Sequence, residues 1–149
     1  MPVTPFHLGP GLLAKGLAPT SVSLTAFTLA NVVIDAESIV NLVAGRFPIH
    51  AELHTLLGAL VAGLASGGAV ALAGRRWKRP TWAWRPALTG GVLGGLGQTL
   101  LDAVMHADLQ PLLPFTEVNP VLRAVDLGTL HLACVVVGIM GGILWAWRH

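Results

Sequence analysis

Hydrophobic residues follow one another along most of this chain in segments long enough to cross a lipid bilayer, separated by short polar stretches. Residues 54–74 and 128–147 contain no Asp, Glu, Lys or Arg. Residues 21–45 and 86–106 are also long enough, although each carries acid in its C-terminal half. Because a helix of about 20 apolar residues spans the hydrocarbon core of a bilayer, the pattern predicts four transmembrane helices.

A shorter apolar segment lies at the N-terminus. As a helix, residues 6–18 would be only about 20 Å long at 1.5 Å per residue, and Pro19 would end it. We expect this helix to be a partial span that packs antiparallel to the next helix. The predicted fold is therefore all-α: a polytopic membrane helical bundle with four full transmembrane helices plus a short N-terminal partial-span helix. Residues 1–149 would form a single integral membrane domain.

Composition agrees with a membrane protein. Of the 149 residues, 54% are hydrophobic and only 11% are charged, and the mean hydropathy is +0.71. These values lie outside the usual range of soluble domains. The 18 glycines suit helices packed closely in lipid, where small residues let backbones approach one another. A single cysteine, Cys134, rules out a disulfide within the chain.

Positive charge is concentrated in the stretch RRWKRPTWAWR, between the second and third predicted full spans. It holds five of the nine basic residues, Arg75, Arg76, Lys78, Arg79 and Arg85. The positive-inside rule places this loop in the cytoplasm, so we predict a multi-pass protein of the inner (plasma) membrane. We interpret the cluster as a topology anchor and expect no nucleic-acid partner. The expected partners are the lipid bilayer and a lipid or membrane-surface substrate, and the oligomeric state stays open.

Ionisable residues converge at the end of the bundle opposite that loop. Asp35 and Asp102 lie about 21 and 24 Å along their helices from the cytoplasmic ends, so they reach similar heights. The same geometry sets His7 beside Asn31 and Asp35. The predicted polar layer contains His7, Asp35, His54 and Asp102, with Glu37, His50, His106 and His131 nearby.

The spacing of the two acids at positions 35 and 37 needs an explanation. Residues two apart on a regular helix point to nearly opposite sides. Asp35 and Glu37 can therefore both contact one site only if the helix breaks locally. Otherwise one of them contacts the site and the other only positions a residue that does. An ionisable group inside a membrane bundle is usually functional and paired.

Histidines mixed with carboxylates predict a divalent metal ion, with Zn preferred and Mn or Fe as alternatives. Such an ion generates hydroxide near neutral pH and polarises a phosphoryl or carbonyl oxygen, so hydrolysis is a natural use. Two other classes stay open: metal-ion or proton-coupled transport, and a structural membrane protein whose polar layer fixes helix register. The predicted cytoplasmic halves of the helices lack ionisable groups, for example VAGLASGGAVALAG and PALTGGVLGGLG. This favours a one-sided site.

Four short motifs, TPFHLGPGLL, VIDAES, HTLLGAL and LLDAVMHADLQPLLPF, are together similar to the membrane-bound metal-dependent hydrolases typified by the inner-membrane protein YdjM. The resemblance covers most of the chain and implies a metal-dependent hydrolase. Carried over residue by residue, it selects His7, Asp35, Glu37, His54 and Asp102. The histidine that the family has after its acidic element is absent here, since Ser38 follows Glu37.

The resulting prediction is a hydrolase acting on an ester or phosphoester at the membrane surface. The predicted metal ligands are His7, Asp35, His54, Asp102 and His106, and Glu37 is the predicted catalytic residue. His50 and His131 are the alternatives to His106 for completing the site. Of the two histidines in HAELHTLLG, His54 is preferred because it directly precedes the apolar segment.

Overall fold

The computed structural model describes residues 4–148 of the chain. Over this range the protein forms five α-helices and no β-strand: α1 Thr4–Leu17, α2 Leu24–Val43, α3 Leu56–Trp77, α4 Trp84–Met105 and α5 Leu127–Trp147. Two short 3-10 helices, Glu52–His54 and Pro80–Trp82, precede α3 and α4. The predicted all-α class is confirmed, and each helix lies close to its predicted range.

Three of the helices, α2, α3 and α5, are long and apolar enough to cross a membrane. This is one candidate span fewer than the four predicted. α4 has the same length as α3, 22 residues, but it is not among the candidates. Its sequence is rich in glycine, and it buries Gln98, Thr99 and Asp102. The polar residues and glycines lower its hydropathy, and they suit a helix that packs against both α2 and α3.

Two rows of glycine let α4 pack against both α2 and α3. One row meets α3: a methyl group on Gly91 or Gly95 would overlap the carbonyl oxygen of Gly63 or Ala59. The other row meets α2, where Gly90 and Gly94 lie against the carbonyl oxygens of Ser23 and Phe27. Small residues allow this close approach of backbones. The helix with the most buried polar groups is thereby held between its two neighbours.

The short N-terminal helix α1 packs mainly along α5. Gly9 and Gly16 abut the α5 backbone at Cys134 and Gly141. Contact with α2, the helix against which α1 was expected to pack, is less extensive. α1 nevertheless carries His7 into the bundle, next to α4.

The start of α3 determines where His54 lies. The hydroxyl oxygen of Thr55 accepts a hydrogen bond from the N–H of Gly58 at 2.9 Å, which makes Thr55 the N-cap of the helix. His54 therefore belongs to the preceding 3-10 turn and not to the helix that was predicted to begin there. Its side chain is fully buried, with 0% exposure.

A matched pair of substitutions tests the glycine packing of α4. Gly91→Ala is expected to lower the free energy of unfolding by about 1–3 kcal/mol, the usual effect of overfilling a packed interior. Gly97→Ala, on the same helix, has no atom within 4 Å of the added methyl group. It should leave stability unchanged or raise it by about 0.5–1 kcal/mol, since alanine is the better helix former. Unfolding in mixed micelles, followed by circular dichroism, measures both. Equal losses would contradict the packing.

Candidate metal centre

Four of the predicted site residues lie buried at one end of the bundle. His54 and Asp102 are 0% exposed, His7 is 2% exposed and Asp35 is 5% exposed. They come from four different segments: α1, the C-terminal half of α2, the turn before α3 and the last turn of α4. Burying ionisable groups is unfavourable unless they are paired or bind a cation, so their convergence requires compensation within the cluster.

Asp35, His54 and Asp102 form what we call the inner set. One ligand atom from each residue lies within 4.8 Å of the other two. Ligand atoms that bind one Zn²⁺ at about 2.0–2.2 Å lie at most about 4.4 Å apart. Small side-chain rotations would therefore bring all three onto one ion. One nitrogen and two carboxylate donors suit Zn²⁺, Mn²⁺ or Fe²⁺.

Gln98 joins the two carboxylates of the inner set. Its side-chain amide donates one hydrogen bond to Asp35 Oδ1 and one to Asp102 Oδ2, the latter at 3.2 Å. His54 Nε2 lies 3.5 Å from the same Asp102 oxygen. Asp102 Oδ1 remains buried without a hydrogen bond. A neutral amide holds the two acids near each other without supplying positive charge, so the set is suited to a cation.

Three predicted ligands surround the carboxylate of Asp102. Besides His54, His7 Nε2 lies 3.5 Å from Oδ1, and His106 Nε2 lies 3.9 Å from the same oxygen. Together with Asp35, which Gln98 connects to Asp102, the five residues predicted as ligands occupy one cluster. Their assignment as metal ligands stays a prediction.

Glu37 lies on the other side of His54 from Asp102. Its Oε2 is 3.3 Å from His54 Nδ1, and both of its oxygens accept the N–H of Leu53, at 3.1 and 3.0 Å. This arrangement keeps the proton on Nδ1 and directs Nε2 towards Asp102. Asp35 and Glu37 thus face different neighbours, as their spacing of two requires. The catalytic role predicted for Glu37 is a separate question and stays a prediction.

The charge state of His54 follows from these neighbours. Burial lowers the pKa of His54, but hydrogen bonds and charge from Asp102 and Glu37 outweigh burial, so the pKa is raised. The two acids thereby favour the protonated form of the ring. A cation binding at Nε2 would displace that proton, because a metal ligand must be deprotonated.

A second group lies beside the inner set, and we call it the outer set: His50, His106 and Asp108. Asp108 Oδ2 accepts the backbone N–H groups of Ile49 and His50 at 3.0 and 3.1 Å. Its two oxygens each lie 3.0 Å from His50 Nδ1. Burial raises the pKa of Asp108, but the hydrogen bonds from His50 outweigh it and lower the pKa. The outer set therefore includes an ionised carboxylate.

Sequence reasoning missed Asp108 and did not use Gln98 as a site residue. Gln98 and Asp102 are four apart on one helix face, a signal that could have indicated it. Asp108 lies beyond the end of α4, where helical spacing carries no information. His131, an alternative ligand, stacks on the ring of Phe6 with centroids 4.2 Å apart and belongs to neither set.

A cavity of about 520 Å³ adjoins the centre beside the C-terminal half of α2. Its lining includes Glu37, Asn41, Arg46, Phe47 and Glu52. Glu37 therefore lies between His54 and the cavity. Phe47 is 83% exposed, so the cavity opens near an apolar surface residue.

No family model, curated protein or solved structure matches this chain. The similarity to the YdjM-type hydrolases therefore stays a prediction from the four motifs.

Replacing Glu37 by Gln should weaken metal binding while the protein stays folded. The variant loses the carboxylate that orients His54, and removing such a partner of a ligating histidine lowers metal affinity by about 10–100-fold. Competition with a chromophoric zinc chelator measures the affinity in detergent. Glu52→Gln is the matched control, because Glu52 lines the same cavity and is exposed. An equal loss of affinity in both variants would contradict the positioning role.

Proposed function

We propose that this protein is a membrane-bound metal-dependent hydrolase that cleaves an ester or phosphoester at the membrane surface. The observation that carries the proposal is the buried inner set, in which Asp35, His54 and Asp102 bring ligand atoms within 4.8 Å of one another. Two buried carboxylates meet there with one histidine, and Asp102 keeps an oxygen without a hydrogen bond. Zinc is the proposed ion, and manganese or iron also fits these donors.

The chemistry divides between the cation and the chain. A bound divalent cation lowers the pKa of water and polarises the substrate oxygen. His54 and the carboxylates of Asp35 and Asp102 would hold that cation. Glu37 lines the cavity but binds Nδ1 of His54, across the ring from Asp102. Its proposed contribution to catalysis is therefore to fix the ring that would hold the cation, and not to take the proton from the cation's water. Arg46, in the same lining, suits the anionic oxygens of a phosphoester.

The proposed setting is the inner membrane. The candidate spans α2, α3 and α5 support a multi-pass protein. We propose that α4 crosses with them, because its glycine rows place it against α2 and α3. The basic segment from Arg75 to Arg85 would then lie in the cytoplasm, and the metal centre would lie towards the opposite face.

Cysteine labelling tests this topology. In a Cys134→Ser background, single cysteines at positions 80 and 115 should react with an impermeant reagent from opposite faces of intact membranes. A cysteine at position 80 should react with the reagent only after the membrane is permeabilised. Labelling of both positions from one face would exclude the arrangement.

The hydrolase proposal is tested with two histidine variants. Wild-type protein loaded with zinc is expected to hydrolyse at least one of an aryl phosphomonoester, an aryl phosphodiester and an aryl carboxyl ester, and chelation should abolish turnover. His54→Ala removes the only nitrogen donor of the inner set, so it should lose the inner cation and reduce turnover by at least 100-fold. His131 lies outside both sets, so His131→Ala should keep the inner cation and the wild-type rate of turnover.

Elemental analysis of the purified variants separates binding from catalysis. Circular dichroism and size-exclusion chromatography verify that both variants remain folded. Wild-type protein that binds zinc but cleaves none of the three substrate classes would contradict the hydrolase and leave a transport or structural role. Unchanged zinc content in His54→Ala would contradict the inner set itself.

A further inference from the structure

The outer set has unused ligand atoms. Nε2 of His50 and Nε2 of His106 are both buried without a hydrogen-bond partner, and His50 as a whole is 5% exposed. Because Asp108 holds the Nδ1 side of His50, Nε2 is the nitrogen left for another ligand. The two rings stack with centroids 4.0 Å apart. Buried nitrogens without partners are unfavourable unless something binds them.

The hydrogen-bond partners of the outer histidines suit a cation site. Neither Nε2 atom has a partner, so both nitrogens are available as ligands. Asp108 accepts from the other nitrogen of His50, as carboxylates commonly do behind a metal-binding histidine.

Asp102 lies between the two sets. Its Oδ2 faces His54 at 3.5 Å, and its Oδ1 lies 3.9 Å from His106 Nε2 without a hydrogen bond. The ring of His50 also lies beside that of His54, with centroids 4.8 Å apart. One carboxylate thus presents a different oxygen to each set, which is the geometry of a ligand that bridges two cations.

We propose that a second divalent cation binds to Nε2 of His50 and Nε2 of His106 in the outer set, and that Asp102 bridges it to the cation of the inner set. Asp108 would hold His50 from its Nδ1 side and not contact the cation. This inference rests on the proposed function only in taking the inner set to be occupied. Paired metal ions about 3.5–4 Å apart stabilise both the attacking and the leaving oxygens of phosphoryl transfer. The proposal therefore narrows the substrate class to a phosphoester.

The inner and outer sets differ in exposure, so the two proposed cations would differ in how readily they exchange. The side chains of Asp108 and His106 are 17% and 18% exposed, whereas His54 and Asp102 are fully buried. The outer cation would be the one that exchanges with solvent. The inner cation would be held more permanently.

A structural role for Asp108 explains only part of the arrangement. Its bonds to the N–H groups of Ile49 and His50 fasten the segment after α4 to the segment before α3. They do not account for the two buried Nε2 atoms. Asp108→Asn separates the roles, because the Asn carbonyl oxygen can still accept those N–H groups while the negative charge is lost.

Metal content per chain is the decisive measurement, made by elemental analysis after zinc loading and removal of free ion. Wild-type protein and His131→Ala should hold two equivalents. His106→Ala should hold one, and so should Asp35→Asn. Asp108→Asn should bind its second equivalent about 10–100-fold more weakly than wild-type protein does. Asp102→Asn should lose both, since it serves both sets. Circular dichroism and size-exclusion chromatography verify that each variant is folded.

Manganese provides a readout of proximity that does not depend on activity. In wild-type protein loaded with Mn²⁺, electron paramagnetic resonance should detect a spin-coupled pair, and His106→Ala should give the six-line signal of an isolated ion. His106 is partly exposed, so this variant should fold even if Asp102→Asn does not.

The outcomes separate the two proposals. One equivalent in wild-type protein, lost in Asp35→Asn, would overturn the second cation and leave the proposed function standing. No bound metal would overturn both. Two equivalents retained in His106→Ala, with unchanged affinity for both in Asp108→Asn, would overturn the outer set, and an uncoupled manganese signal in wild-type protein would overturn the bridge.

Discussion

The arrangement of this bundle depends on the buried carboxylate of Asp102. It is fully enclosed at the end of α4, where an ionised group without partners would be strongly unfavourable. Three histidines from different segments lie within 3.9 Å of its two oxygens, and Gln98 donates to it from one turn earlier. Helix α1, the turn before α3 and the segment after α4 are each held near this group.

Such short contacts require helices that lie close together, and glycine supplies that closeness. Gln98 can reach Asp35 on α2 because Gly90 and Gly94 let α4 touch the α2 backbone one and two turns below. Asn31 strengthens the same contact by donating to the carbonyl oxygen of Gly94 at 3.3 Å. Gly91 and Gly95 bring α3 equally near, and α3 follows directly after His54. The packing of small residues therefore sets the geometry of the polar cluster.

The helical class and the main cluster could be predicted from the sequence for a simple reason. Few ionisable residues occur in the apolar segments, and a constant rise per residue fixes their heights. The sequence predicted less well which helices pack against each other. We expected α1 to pack against the adjacent helix α2, whereas its main partner is α5. The composition of α4 was also ambiguous. Glycine and buried polar groups suit a helix packed between others, but they reduce the hydropathy by which a membrane span is recognised.

Residues outside the helices were the hardest to place. His50 and Asp108 meet through loops that contain no periodic pattern, although they are far apart in the chain. The position of Glu37 behind His54 depends equally on the turn at Glu52–His54, whose backbone presents the N–H of Leu53. Spacing on α2 required Asp35 and Glu37 to diverge, but only the path of the chain before α3 determines what Glu37 meets.

The same packing bears on the choice between a one-sided site and a path through the membrane. Below the polar cluster, α4 touches α3 at Gly63 and Gly67 and touches α2 at Ser23 and Phe27, with no space for even a methyl group at these contacts. An ion moving from the cluster between these helices would have to separate backbones that are in direct contact. The cavity at Glu37 and Arg46 instead lies beside the C-terminal half of α2, away from these glycine contacts. The proposed hydrolysis needs access only from that cavity, and the glycine-packed half can stay closed, whereas the alternative of transport would require these backbone contacts to separate.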